Sequence, residues 1–323
     1  MKIVTVLDTS VASRNLGDRI ICDAVYSIIG NLVGDRAMVL NIPTHERISR
    51  HSRRIIQDSA FSVVAGTNLL SSKRHLVRAN LWNATLLDAL HFERVVFMGV
   101  GSGKYGDKPS LLTKLFYRNA LDSGFAHSVR DAYTKQKLQE CGISKVINTG
   151  CPTTWNLSPE HCAGIPADKA QRVVFTVTDY HPDRQNDRMM IDTLQKNYSQ
   201  VYCWLQGTGD FEYLKSIVDP SNIKLIPPDI SRYNQLLEQG GLDYVGTRLH
   251  AGIRALQKGI RTLIVGIDNR AIEMGSDIGL HILLRSDMAR LESVVNQPRA
   301  TALSIDFDAI SSWKSQFSGA LSD

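Results

Sequence analysis

Short runs rich in β-branched and aliphatic residues alternate along this chain with segments of helical period. That alternation leaves few folds open, because it is the pattern of βαβ units wound into parallel sheets. In the first half the strand runs are Lys2 to Leu7, Ala37 to Asn41, Ser62 to Ala65, Arg94 to Gly99, Phe125 to Val129 and Lys145 to Asn148. After Gly150-Cys151-Pro152 and a turn-rich stretch to Pro166 come Arg172 to Thr178, Gln200 to Gln206, Ile223 to Ile226, Leu242 to Thr247, Thr262 to Ile267 and His281 to Leu284. Two successive six-strand series predict an α/β protein of two Rossmann-like domains facing a cleft, residues 1–160 and 161–300. A last helix, about Asp306 to Leu321 in the remaining 301–323, has no strand after it and is expected to return to the first domain. If each domain takes the strand order 3-2-1-4-5-6, ligands bind beyond its first and fourth strands. This nominates the loops Asp8 to Asp18 and Gly99 to Asp107 in the first domain, and Asp179 to Arg184 and Thr247 to His250 in the second.

The chain's 323 residues are 43% hydrophobic and 21% charged, enough to bury two cores and unlike a disordered composition. No apolar run approaches the roughly 20 residues of a spanning helix, and no basic, apolar and small-residue succession opens the sequence, so a cytoplasmic location is expected. Five cysteines without a C-x-x-C pair read as reduced, mostly buried thiols. Charge is uneven. Residues 1–161 carry 20 Lys and Arg against 13 Asp and Glu, whereas the rest carry 17 against 19, so the first half prefers anionic partners.

Arg248-Leu249-His250 stands where the fourth strand of the second series passes into a helix whose first turn aims N–H groups at an anion. The arginine offers a planar fork for phosphate or carboxylate, and the histidine can give or take a proton near neutrality. An arginine in a structural ion pair and a histidine capping the helix explain the tripeptide about as well. His181 and Arg184, in the loop after the first strand of that series, would face it, which favours function. Asn15-Leu16-Gly17-Asp18 follows the first strand, with Asp18 placed to cap the next helix. Gly99-Val100-Gly101-Ser102-Gly103 lacks the context and spacing of a dinucleotide fingerprint, although its glycines permit close approach to a ligand. Asp268, Arg270 and Glu273 either hold a ribose or substrate hydroxyl or simply begin a helix. From Glu46 to Gln57, Arg47, Arg50 and Arg54 fall at helical spacing with His51 and Arg53 nearby, and Ile48, Ile55 and Ile56 supply an apolar side. This is a basic amphipathic helix, for which an ordinary solvated face is a simpler reading than direct membrane contact. Lys73, Arg74, His75 and Arg78 add to the charge, but no nucleic-acid-binding motif accompanies it, so no nucleic-acid partner is expected.

The run Val245-Gly246-Thr247-Arg248-Leu249-His250-Ala251-Gly252-Ile253-Arg254-Ala255 strongly resembles the polysaccharide pyruvyl transferase family. Asn15-Leu16-Gly17-Asp18, Ala65-Gly66, Ser128-Val129-Arg130-Asp131, Gly150-Cys151-Pro152 and Asp268-Asn269-Arg270-Ala271 match in the same order. The resemblance implies a GT-B-like fold. It also implies an enzyme that takes phosphoenolpyruvate as co-substrate, without other cofactor or metal, and places a pyruvyl ketal on a sugar of a polysaccharide or its lipid-linked precursor. Arg248 and His250 match the family's donor-binding and catalytic positions. With them on the donor side we place Leu249, His181, Arg184 and Arg130, since the donor carries both a carboxylate and a phosphate. The acceptor candidates are Asn15, Asp18, Gly66, Asn68, Gly101 and Ser102, and here Thr67-Asn68 depart from the further glycine that members commonly show. The basic first half suits an acceptor on a lipid diphosphate, met at the cytoplasmic membrane surface. Two alternatives stand beside this reading: a GT-B glycosyltransferase, with Glu273 on a nucleotide's ribose and Arg248 on its diphosphate, and a glycan-binding module without turnover.

Overall fold

The computed structural model describes residues 1–74, 81–103, 106–122 and 124–321. His75 and Arg78 of the basic stretch, part of the loop 99–107 and the side chains of Asn269 and Arg270 lie outside that description. The chain divides into two compact units. Unit 1 comprises Met1–Ser13, Ile21–Trp155 and Asp306–Asp323, and unit 2 comprises Arg14–Ile20 and Asn156–Ile305.

All twelve expected strands form. In unit 1 they are β1 (Lys2–Asp8), β2 (Ala37–Pro43), β3 (Phe61–Ala65), β4 (Val95–Met98), β5 (His127–Val129) and β6 (Val146–Asn148). In unit 2 they are β7 (Arg172–Thr176), β8 (Gln200–Trp204), β9 (Lys224–Ile226), β10 (Leu242–Gly246), β11 (Arg261–Gly266) and β12 (Ile282–Leu284). Every pairing is parallel, and the inner strands are apolar on both faces because helices cover both sides of such sheets.

Unit 2 has the order β12-β11-β10-β7-β8-β9, which is the expected 3-2-1-4-5-6. Its topological switch point lies between β7 and β10, paired from Leu242 with Arg172 to Gly246 with Thr176. The edge strands are the more exposed ones: β9 exposes Lys224 and Leu225, and β12 exposes Leu284.

Unit 1 departs from the expected order. Its main sheet runs β2-β1-β3-β4, β5 pairs with β6, and a parallel bridge from Val100 to Val129 continues the series. The cause is burial. β3 is buried at every position and must lie inside the sheet, whereas β2 exposes Met38 and Asn41 and ends in Pro43, as an edge strand can. The unit 1 switch point therefore falls between β1 and β3, and the loop after β3, not Gly99 to Asp107, borders it.

Two segments complete the units. Residues Arg14–Ile20 group with unit 2, because Asn15 bridges Gly207 and the Leu16 N–H donates to the Gln206 carbonyl. The helix Leu16–Val33, which begins within this segment, starts one residue past Asn15, whose Oδ1 accepts from the Gly17 N–H at 3.0 Å. Asp18 lies inside the first turn and is not the cap. The C-terminal helix Phe307–Ser315, capped by Asp306, belongs to unit 1, where Trp313 and Phe317 are fully buried.

Candidate functional site

The carboxyl ends of β7 and β10 are locked together by hydroxyl groups. Thr176 Oγ1 and Tyr244 Oη lie 2.7 Å apart, Thr178 and Thr247 share a 2.8 Å hydrogen bond, and the Arg248 N–H donates to Thr176 Oγ1 at 3.2 Å. A Cβ at Gly246 would fall 2.5 Å from Thr176 Oγ1, so the strands pack this closely only over glycine. Arg248 stands at the N-cap of helix Leu249–Gln257 and makes no side-chain cap bond there. Leu249 and His250 are the helix's first residues, both buried, so His250 is not the cap residue either.

The Arg248 guanidinium is held from two loops, those after β7 and β8. Its Nε donates to the Val177 carbonyl at 3.1 Å, and its Nη2 pairs with Asp179 Oδ1 at 3.0 Å and with Asp210 Oδ1. Asp210 is fully buried and also accepts from the backbone N–H groups of Gln206 and Gly207 at 3.0 and 2.8 Å. Burial pushes the Asp210 carboxyl above the usual range, against the pull of the Arg248 charge and the Gly207 amide. The Tyr180 ring lies under the guanidinium, 4.8 Å from its carbon. Nε and Nη2 are thus committed to the protein, so the arginine does not present the open two-pronged fork the sequence implied. It fixes the loops after β7, β8 and β10 in one arrangement. Asp179 lies in a loop the sequence nominated, whereas Asp210 escapes sequence reading because its link to Arg248 joins positions far apart in the chain.

His181 is exposed and its carbonyl accepts from Arg285 Nη1 at 2.6 Å; Arg184 is exposed at the start of helix Arg184–Asn197. His181, Asp268 and Arg285 line a cavity of about 670 Å³ at the carboxyl side of the unit 2 sheet. Asp268 Oδ1 accepts from the Ala271 N–H at 3.3 Å at the start of the next helix, and Glu273 is half-buried within that helix. Arg130 belongs to unit 1, in a group with other expected site residues. Its Nη2 donates to Asn68 Oδ1 at 2.6 Å, and a Cβ on Gly101 would strike its guanidinium at 2.3 Å. The buried Ser102 N–H donates to Thr134 Oγ1 at 3.0 Å. Arg130 and Asn68, expected on opposite substrate sides, are therefore direct neighbours.

At the unit 1 switch point Gly66 has φ +53°, and a Cβ there would meet Ile21 Cγ2 at 2.4 Å. Thr67 beside it is also left-handed, at φ +54°, a costly conformation for a β-branched residue and one found where function holds the backbone under strain. Asn15 and Asp18, expected beside these residues, belong instead to unit 2, where Asn15 Oδ1 also accepts from Gln206 Nε2 at 2.6 Å. Among the described residues no group of three or more His, Cys, Asp or Glu could hold a metal ion, and no helix is long and apolar enough to cross a membrane.

Comparison with known proteins agrees with this architecture. No curated protein sequence matches the chain significantly. Among solved structures, the UDP-GlcNAc 2-epimerase of Methanocaldococcus jannaschii is 13% identical with a TM-score of 0.53, covering 95% of this chain and 96% of its own. The same organism's enzyme in complex with UDP-GlcNAc and UDP gives 12% and 0.50, with 96% and 97% covered. The Neisseria meningitidis enzyme bound to UDP-GlcNAc gives 12% and 0.50, with 91% of each chain covered. At these identities the likeness establishes the fold, two Rossmann-like units of the GT-B kind. The model of the family described as polysaccharide pyruvyl transferase matches residues 15–269, a span running from the Asn15 segment through the Arg-Leu-His block to the helix after β11, and the chain belongs to that family.

Proposed function

We propose that this chain transfers a pyruvyl group from phosphoenolpyruvate to a sugar of a polysaccharide or its lipid-linked precursor, forming a cyclic ketal. The observation that carries the reading is the Arg-Leu-His block at the β7–β10 switch point, with His250 in the first turn of a helix and Arg248 already oriented beside it. In this reaction the donor's methylene carbon gains a proton and becomes the methyl group. The carbon bearing the carboxylate forms two bonds to sugar oxygens and loses its π bond to the methylene carbon and its bond to the phosphate oxygen. Of the two hydroxyl protons released, one balances the proton taken up by carbon and the other leaves with the phosphate. His250 serves as the proton donor to carbon. Arg248, its charge shared with Asp179 and Asp210, serves the donor's anionic groups as a hydrogen-bond donor, and the first-turn N–H groups of helix Leu249–Gln257 and Arg184 supply positive potential for them. Arg130, Asn68 and Gly101 in unit 1 serve the acceptor side, and a lipid-linked acceptor would bring the chain to the membrane surface.

The nucleotide-sugar alternative draws support from the cavity beside Asp268, which has room for a nucleoside, and from the UDP-GlcNAc bound by the fold's solved neighbours. Thermal unfolding with each ligand separates the two, since a ligand at 100 times its dissociation constant adds about 2.7 kcal/mol. Phosphoenolpyruvate is expected to raise the unfolding midpoint; stabilisation by UDP or GDP sugars alone would establish the alternative. His250→Gln is expected to lose about 10² to 10⁴-fold in phosphate release while keeping donor affinity and midpoint. A fully active, stable variant removes His250 from the chemistry, and continued glycan binding without any product points to a binding module.

A further inference from the structure

Unit 1 exposes leucines on adjoining elements that already bury another face. In the short helix Leu86–Ala89, Ala89 is buried while Leu87 is 68% exposed, and Leu90 just beyond is 58% exposed. Helix Leu111–Ala120 packs beside it and buries Phe116, Tyr117 and Ala120, yet leaves Leu111 85% and Leu115 49% exposed, one turn apart on the same face. Adjoining this surface is the basic helix Arg50–Asp58, tied to the first leucine helix by the Arg53–Asp88 ion pair at 3.5 Å. It exposes Arg50, His51 and Arg54, with Arg47 exposed just before it, while Lys114 and Arg118 stand on the second leucine helix itself. The acidic groups on these elements and within four residues of them are Glu46, Asp58, the buried Asp88, Glu93, Asp107 and Asp122, of which Asp107 is paired with Lys73.

Exposed leucines beside an excess of cations match the chemistry of a bilayer's interface, where side chains enter the acyl boundary and lysines and arginines meet anionic headgroups. We propose that this leucine face of unit 1 docks on an anionic lipid surface. A second copy of the chain is the competing occupant of any apolar face. An isologous contact, however, would set Arg50, Arg54, Lys114 and Arg118 of one copy against the same cations of the other. Headgroup phosphates and carboxylates supply the opposite charge instead. The inference takes its purpose from the lipid-linked acceptor proposed above, and its test is independent of that reading.

The intact chain is sedimented with vesicles of phosphatidylcholine alone and with vesicles carrying about 30 mol % phosphatidylserine. It is expected to sediment with the anionic vesicles, and the partition should weaken at about 0.5 M NaCl, where the Debye length is only a few ångströms. Leu111→Ser is expected to lower the partition coefficient about tenfold with an unchanged unfolding midpoint, since that side chain packs in no core. Arg50→Glu with Arg54→Glu should lower it as well. Leu225→Ser, at an exposed leucine of β9 in unit 2, should leave it unchanged. Absence of sedimentation, equal binding to neutral vesicles, or equal loss in Leu225→Ser overturns the proposal. A concentration-dependent dimer that Leu111→Ser abolishes, without vesicle binding, overturns it in favour of self-association. None of these measurements needs turnover, and phosphoenolpyruvate binding followed on the same preparation reports on the catalytic reading separately.

Discussion

The positive charge in the Arg-Leu-His block is compensated before any ligand arrives. Removing it with Arg248→Ala strands the buried Asp210 carboxylate and is expected to cost about 3 to 5 kcal/mol of stability. Arg248→Lys cannot serve the Val177 carbonyl, Asp179 and Asp210 together, and should cost about 1 to 2 kcal/mol while weakening phosphoenolpyruvate binding. Urea unfolding and donor titration on one preparation check both effects; stability lost with donor affinity intact would make Arg248 a positioning residue alone. A second test belongs to His127, buried in unit 1, whose Nδ1 lies 3.4 Å from the Phe97 N–H and Nε2 3.1 Å from the Asp122 carbonyl. The neutral ring with its proton on Nε2 satisfies both, and burial pulls its pKa down to about 4 from 6.5. Above pH 6.5 neither folded nor unfolded chain carries that proton. As pH falls from 6.5 to about 4, the unfolded chain protonates first and stability is lost, by roughly 3 kcal/mol in all. His127→Gln should flatten that part of the stability profile measured by urea unfolding between pH 7 and 4. The Arg248-Leu249-His250 block stands out in the sequence because its residues are adjacent in the chain. Asp210 does not, because its role depends on a fold that closes 38 positions of chain.

At the scale of elements, runs of β-branched residues bounded by turns are a local signal, so all twelve strands are readable from the sequence. Their order in unit 1 is not, because order depends on which strand is buried on both faces. The clue was present in composition: β2 carries Asn41 and ends in Pro43, and β3 has only Ser62 among apolar residues. Close packing of helix Leu249–Gln257 on the sheet is a further element-scale property, and glycine substitutions measure it. A Cβ at Gly252 would lie 2.8 Å from Ile264 Cγ1 and 2.9 Å from Tyr244 Cε1. Gly252→Ala should therefore destabilise by about 1 to 3 kcal/mol and shift the Arg-Leu-His turn, despite alanine's higher helix propensity. Gly30, exposed within helix Leu16–Val33, has nothing within 4 Å of its Cβ position, and Gly30→Ala should stabilise by up to about 1 kcal/mol. If chemical denaturation shows the two changes shifting stability in the same direction, close contact with the sheet is not what decides the cost at Gly252.

At the scale of the whole molecule, unit 1 is assembled from three separate stretches of chain and depends on the last of them for its core. Trp313 and Phe317 are fully buried: the Phe317 ring lies tilted 4.3 Å from the Phe61 ring of β3 and stacks 5.5 Å from Phe125, and Trp313 meets Trp155 edge-on at 5.5 Å. Unit 2 closes its sheet and its own core without residues 306–323. Truncating one such aromatic to alanine costs about 3 to 5 kcal/mol, a large share of the stability of a domain this size. Deleting residues 306–323 removes both at once, so unit 1 should unfold or exchange freely while unit 2 keeps its structure. Hydrogen exchange followed by peptide mass analysis checks this directly. Peptides covering β1 and β3 should lose protection in the deletion variant, and those covering β7 and β10 should retain it. Phe317→Ala should give the same pattern in weaker form. Equal loss of protection in β7 and β10 would mean that the two units unfold as one cooperative body, and that the Arg248 network draws its stability from the entire chain.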